Sequence, residues 1–334
     1  MPVLVSRFRP PFFLCNGHVQ TVLSVVLPAR ADVTFQRERL ELIDGDFLDL
    51  GWARIGAERL VILSHGLEGS SDARYIRGMA ATLNAAGWDV LVWDFRGCSQ
   101  ETNRLPRLYH SGETGDLGAV IDFAATGYSR IALVGFSLGG NLILKYLGES
   151  NPHPALVRAV AISAPLDLAA TARALDRHWS KRIYRDNLIK SLIAKVEAKA
   201  VRFPDKFDIS GIRMIRTFEE FDDRYTAPIH GFRDAEDYWE KTSARRFLGR
   251  ITVSTLILNA CDDPLLTPES FPVSEAEGNA CVFLEMPKSG GHLGFIDLAR
   301  GMQPWSERRV AGFLETRTEK HQPRMNAYLR GCSE

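Results

Sequence analysis

Residues 130–149 read RIALVGFSLGGNLILKYLGE, and the fold turns on how this stretch is parsed. Residues 131–136 are apolar enough for a strand buried on both faces, whereas 140–146 can continue as a helix. Between them lies Gly135-Phe136-Ser137-Leu138-Gly139, a G-x-S-x-G. In a chain with 27 glycines the pattern alone is weak; its place between a strand and a helix gives it weight. A serine on so sharp a turn is held in a strained backbone conformation, and a Cβ two residues to either side would strike neighbouring chain. The strain exposes the hydroxyl, and the following helix aims its free N–H groups and dipole at the reacting centre. Ser137 is therefore the candidate nucleophile and the Leu138 N–H a candidate oxyanion donor; the bland reading is an ordinary helix-start serine.

Outward from this stretch, short apolar runs alternate with helix-length amphipathic segments, the rhythm of βαβ units. RLVILSHG (59–66), DVLVWDF (89–95) and VRAVAIS (157–163) read as buried strands. Helices fill the gaps: 75–86 closes at Gly87, and the segment after Gly112 carries Leu117, Val120, Ile121 and Ala124 at helical spacing. The rhythm lapses over 166–250, which reads as a helical insertion, and resumes with STLILNA (254–260), ACVFLEM (280–286) and a helix over 305–314. Upstream, VTFQRERLEL (33–42) and DFLDLGWAR (46–54) read as paired antiparallel strands. The expected architecture is α/β: a mostly parallel sheet flanked by helices, with 1–165 and 251–334 as the core and 166–250 as a cap in the same domain.

The 334 residues suffice for a full core, and 45% hydrophobic with 25% charged is the globular average. Forty-one Lys and Arg balance 41 Asp and Glu, which leaves no basic excess for phosphate backbones and argues against a nucleic-acid partner. Cys15, Cys98, Cys261, Cys281 and Cys332 form no C-x-x-C and no His/Cys cluster at ligand spacing, so reduced thiols and no metal are expected. Arg7 and Arg9 before an apolar stretch, with Ala29-Arg30-Ala31 beyond it, imitate a signal peptide. Pro10-Pro11 and the polar residues from Asn16 to Thr21 interrupt the stretch, so a cytoplasmic protein is expected.

A serine hydroxyl is a weak nucleophile and needs a histidine base and a carboxylate, in this fold class in the order Ser, Asp/Glu, His. His153, His178, His230, His292 and His321 follow Ser137. Only His292 sits in a glycine-rich loop, Ser289-Gly290-Gly291-His292-Leu293-Gly294, beyond a late strand. His153 lies between prolines, His178 and His230 lie in the insertion, and His321 is in the polar tail. For the acid, Cys261-Asp262-Asp263-Pro264 follows a strand, where open α/β sheets build their sites. The offset from Ala260 favours Asp263 over Asp262; Asp94 is an outside candidate, with Arg96 its expected ion-pair partner. The second oxyanion donor is expected from His65-Gly66-Leu67-Glu68-Gly69, at the Leu67 N–H, with His65 structural.

HGLEG with SSDARYI, WDFRGCS, RLYHSGETGDL, VGFSLGGNLILKYLGE, ISAPLDL, DDPLLTPE and GGHLGF together resemble the YheT-like branch of the α/β-hydrolase superfamily. The likeness covers nearly the whole chain, including Asn16-Gly17-His18-Val19-Gln20-Thr21 and Tyr225-Thr226-Ala227-Pro228. It implies hydrolase or carboxylesterase activity through Ser137, His292 and Asp263, with eukaryotic relatives that act on phospholipids. Trp239 and Asp94 depart from the pattern, which has tyrosine and asparagine there. Asn16, His18 and Gln20 read as hydrogen-bonded structure, a pocket role being the alternative.

The expected function is a serine esterase without cofactor, forming an acyl-enzyme from a small or lipid-like acyl ester. An acyltransferase would use the same triad, and a non-catalytic binding protein on this scaffold is the reading from another class. Residues 186–201 carry an apolar stripe of Leu188, Ile189, Leu192, Ile193 and Val196 among many basic residues, which fits internal packing or peripheral contact with an anionic lipid surface.

Overall fold

In a computed structural model, residues 3–27, 33–149, 151–297 and 303–316 are described. Ala29-Arg30-Ala31, His321 and Cys332 lie outside these residues. The described strands are β1 (Val3–Leu4), β2 (Gln36–Glu41), β3 (Phe47–Ala53), β4 (Leu60–Ser64), β5 (Asp89–Trp93), β6 (Ile131–Phe136), β7 (Leu156–Ile162), β8 (Ser254–Leu258) and β9 (Val282–Glu285). They form one sheet in the order β1-β9-β8-β7-β6-β4-β5-β3-β2. β2 and β3 pair antiparallel and β3 runs antiparallel to β5; every other pairing is parallel. The helices are α1 (Gly17–Val26), α2 (Arg74–Ala85), α3 (Thr114–Ala125), α4 (Leu138–Glu149), α5 (Leu168–Arg177), α6 (Arg182–Arg202), α7 (Phe218–Phe221), α8 (Ala227–His230), α9 (Ala235–Thr242), α10 (Val273–Gly278) and α11 (Trp305–Glu315).

Alternation along β4 shows why the central strands are apolar throughout. Leu60 and Ile62 join the layer under α3 and α4, with Leu117, Ile121 and Leu142. Val61 and Leu63 join the opposite layer under α2 and α11, with Met79, Leu83 and Phe313. Each such side chain, once fully buried, contributes roughly 1.5–3 kcal/mol, so both faces drive assembly. β4 lies between β5 and β6, so the chain reverses its direction of winding there, and the crevice beyond the strands' C-terminal ends is where such sheets place their sites.

Between β7 and β8 the described chain is helical, with its own core of Leu175, Ile189, Leu192, Val196, Phe221 and Trp239. The α6 stripe is therefore packing. Two of its basic residues are engaged too: Lys195 Nζ pairs with Glu68 at 2.7 Å, and Lys199 donates to the carbonyls of Asn103 and Leu105.

Arg96 is not the partner of Asp94. Its guanidinium meets Asp44 at 2.7 Å, Asp46 at 3.2 Å and Asp116 at 2.7 Å, while Asp94 accepts from Ser71 Oγ at 3.0 Å and pairs with Arg37 at 3.2 Å. Two residues apart on a turn, the side chains diverge, and Arg96 serves the carboxylates of the loop leaving β2 and of α3. The edge strand β1 and helix α1 are additions to the expected element order; two strand residues give no periodicity to read.

Candidate active site

Ser137 occupies the single residue between β6 and α4, with φ of 51°, a left-handed conformation costly for any residue with a Cβ. The turn is pinned: Ser137 N donates to Ile162 O at 2.8 Å, and its carbonyl accepts from Gly140 N at 2.9 Å. Gly139 has no alternative, since a Cβ there would lie 2.4 Å from Ser64 O and 2.5 Å from His65 O.

His292 and Asp263, 29 residues apart, are brought together with Nδ1 2.9 Å from Oδ2 and 3.2 Å from Oδ1. Asp263 is buried and its Oδ1 also accepts from Leu265 N at 2.8 Å. Asp262 points elsewhere: its Oδ1 accepts from Gly291 N at 2.9 Å, which holds the His292 loop, and burial pushes its carboxyl above the usual range. Asp94 is engaged elsewhere, accepting from Ser71 N and pairing with Arg37 at 3.2 Å.

The His292 loop is clamped from the N-terminal segment. Thr21 Oγ1 accepts from His292 N at 2.8 Å, and Gln20, fully buried, accepts from Ile296 N at 2.7 Å and donates to Ile296 O at 3.1 Å. Asn16 caps α1 by accepting from Val19 N. A Cβ on Gly17 would lie 1.8 Å from Asp262 O, so helix and acid turn are in backbone contact. Thr21→Val is expected to leave the His292 amide unpaired, costing roughly 1–3 kcal/mol in denaturation experiments. Loosening the base loop should lower kcat about tenfold or more with KM little changed, as steady-state kinetics would show.

The loop after β4 brings Gly66 against Ser137, where a Cβ on Gly66 would lie 3.2 Å from that of Ser137, and Leu67 into the cavity that Ser137 lines; neither Leu67 N nor Leu138 N has an acceptor among the described residues. His65 is structural: buried, with Nδ1 2.8 Å from Gly66 O and Nε2 accepting from Phe95 N at 3.1 Å, it is pushed down to about 4 by burial and is neutral. Glu68, at φ 55°, anchors the loop: Tyr109 OH and Lys195 Nζ reach its Oε1 at 2.8 and 2.7 Å, and Ser191 Oγ its Oε2 at 2.6 Å. Lys195 and Ser191 belong to α6, so that helix holds the loop after β4. Sequence reading missed this contact because it joins residues more than 120 positions apart.

Ser137, His292, Leu67 and Leu138 line one cavity of roughly 260 Å³, whose other walls include Leu168, Leu175, Leu188, Leu192, Phe218 and Phe221. Asp222 is its buried carboxyl, on the π-helical turn Asp222–Thr226 after α7, where it accepts from Thr226 Oγ1 at 2.6 Å and Trp239 Nε1 at 2.8 Å. Burial raises it from the ordinary 3.8 to about 7. The native state thus keeps a proton that the unfolded chain loses, and this stabilisation is present below about pH 4 and lost as pH rises through about 7. Asp222→Asn removes that loss. Whatever the baseline cost of the substitution, the variant should gain on wild type by about 1 kcal/mol or more between about pH 5 and 8, in urea unfolding at each pH.

His153 caps a turn at Ala155 N, and His178 is exposed at the end of α5. His110, Glu113 and His230 gather with possible ligand atoms within 4.8 Å of one another. Arg107 pairs with Glu113, His110 Nε2 lies 3.3 Å from Glu113, Gly112 N donates to His110 Nδ1 at 3.2 Å, and the His230 ring, pushed down to about 3 by burial, stands 4.5 Å from that of His110. The group joins the loop before α3 to α8.

Comparison with known proteins adds three findings. Residues 59–298 match the family model described as the alpha/beta hydrolase fold. YheT of Escherichia coli (strain K12), named only provisionally as an esterase, is 36% identical over 94% of each chain. Phospholipase ABHD3 of Mus musculus is 27% identical over 89% of this chain and 75% of its own length, and monoacylglycerol lipase ABHD2 of Homo sapiens is 27% identical over 89% and 76%. Among solved structures, the esterase Pf2001 of Pyrococcus furiosus superposes with a TM-score of 0.57 at 19% identity, covering 85% of this chain and 91% of its own.

Proposed function

The chain belongs to the α/β-hydrolase fold family, and from that premise we propose that it is a serine esterase acting on carboxylic esters through Ser137, His292 and Asp263. One observation carries the reading: a serine on a strained turn and a histidine held by a buried carboxylate at 2.9 Å face the same cavity. Ser137 Oγ attacks the ester carbonyl while His292 Nε2 takes its proton, and Asp263 fixes the imidazole through Nδ1–H. The oxyanion is held by the unpaired N–H groups of Leu67 and Leu138, and His292 returns the proton to the departing alcohol. Water, activated by the same imidazole, then releases the acid and frees Ser137.

The apolar walls from α5, α6 and α7 suit an acyl chain, and residues 166–250 act as a cap over it. The names of its relatives point to lipid-like esters as the substrate class. The test is turnover of p-nitrophenyl esters from acetyl to long-chain acyl, with a fluorophosphonate probe. Turnover with the probe's adduct on Ser137 is expected; an unlabelled Ser137 together with no turnover at any chain length would sink the reading.

A further inference from the structure

Helix α1 is built inside out. Gly17, Gln20, Thr21 and Ser24, at helical spacing, turn toward the protein, and Gln20, Thr21 and Ser24 bond within the segment carrying His292. The opposite side shows Val19, Val22, Val25 and Val26 to solvent, Val25 at 71% exposure. A helix facing water carries its polar residues outward, so this arrangement needs a second apolar medium. Phe12, 89% exposed, and Phe13 precede it. Alongside lies a second segment, joined by His18 and Tyr184, whose rings stack 5.8 Å apart with Nδ1 2.9 Å from the hydroxyl. That segment exposes Trp179 at 84% and Ile183.

The charge of both segments has one sign. Residues 3–27 contain Arg7 and Arg9 and no acid; 177–185 contain Arg177, Lys181, Arg182 and Arg185 and no acid, in a chain whose net charge is zero. Asp186 pairs with Arg185 and cancels that cation, while Asp176 is held by Phe218 N and Asp262 by Gly291 N. Arg7, Arg177 and Arg182 are exposed and make no ion pair among the described residues. Both segments also abut the site, since Thr21 bonds the His292 amide and Lys181 Nζ reaches Leu266 O on the cavity wall at 3.5 Å.

We propose that this face, comprising the Phe12–Phe13 turn, the outer side of α1 and Trp179 with Ile183, docks on an anionic lipid bilayer and sets the His292 side of the cavity against it. Exposed Trp and Phe on a cationic surface enter the headgroup boundary, while Arg and Lys meet anionic headgroups. A second copy of the chain fits less well, because a two-fold contact would set these cations against themselves.

The experiment is flotation of the protein with vesicles of phosphatidylcholine alone and with phosphatidylglycerol added. Docking does not require catalysis, so Ser137→Ala is expected to bind as wild type does, which separates this proposal from the esterase reading. Binding to the anionic vesicles is expected, weaker by about tenfold or more with phosphatidylcholine alone or at high salt. Val22→Ser combined with Trp179→Ser should lower partitioning by about tenfold or more while the melting temperature is retained. Absence of binding to anionic vesicles would overturn the proposal, as would undiminished binding by the folded double variant. So would a dimer in sedimentation that the double variant converts to monomer, since the face would then belong to a second copy.

Discussion

Ser137→Ala is expected to lower kcat for a p-nitrophenyl ester by about 10⁵- to 10⁶-fold while the protein melts within a few degrees of wild type. The expected loss is large because the proposed nucleophile has no substitute: His65 is locked to Gly66 O and Phe95 N, and no described thiol lines the cavity, Cys98 lying beside Lys195. The fold should survive because Ser137 holds its turn through its backbone, with N bonded to Ile162 O and O to Gly140 N. Alanine at φ 51° carries the same strain as serine. Residual hydrolysis above the uncatalysed rate should remain, from the Leu67 and Leu138 amides and binding alone. Steady-state kinetics with a thermal melt of the same sample decide it; a variant that keeps a tenth of the activity would remove Ser137 from the chemistry.

The second large effect separates two adjacent carboxylates. Asp263→Asn is expected to cost about 10⁴-fold in kcat, because an amide cannot hold His292 in the tautomer that leaves Nε2 free to take a proton. Asp262→Asn should cost no more than about 10²-fold, a positioning loss. The amide side chain introduced by Asp262→Asn keeps an acceptor oxygen for Gly291 N, and the other Asp262 oxygen is buried without a partner, so little else is lost there. Equal losses at both positions, or a larger one at Asp262, would reassign the acid. The pH profile adds a sign: with Asp263 intact the basic limb should stay in place, whereas Asp263→Asn should rise toward alkaline pH as the remaining catalysis comes from hydroxide.

Much of this was legible in the chain. The strands on both faces of the sheet are runs of Ile, Leu, Val and Ala, and a strand covered on two sides leaves no polar position, so composition suffices to find it. Ser137 was legible because steric necessity fixes its neighbours: Gly139 cannot carry a Cβ beside Ser64 O. His292 and the Asp262–Asp263 pair were legible by chain order and by their glycine and proline punctuation. The pairing of Arg96 was misread because proximity in sequence was taken for proximity in space.

What sequence could not reach is where long-range contacts set the outcome. Two adjacent aspartates are chemically identical until the fold turns one Oδ2 to within 2.9 Å of His292 and the other carboxylate to Gly291 N. Glu68 reads as a loop carboxylate until α6 brings Ser191 and Lys195 to it. Helix α1 reads as an interrupted apolar segment until its polar side is seen buried and its valines exposed. The sequence by itself determined the sheet, the strained serine and the candidate base, because local sterics and two-sided burial act over a few residues. The tertiary structure decided which aspartate meets His292, the clamp on the His292 loop and the outward apolar face, because these depend on which distant groups satisfy one another's hydrogen bonds.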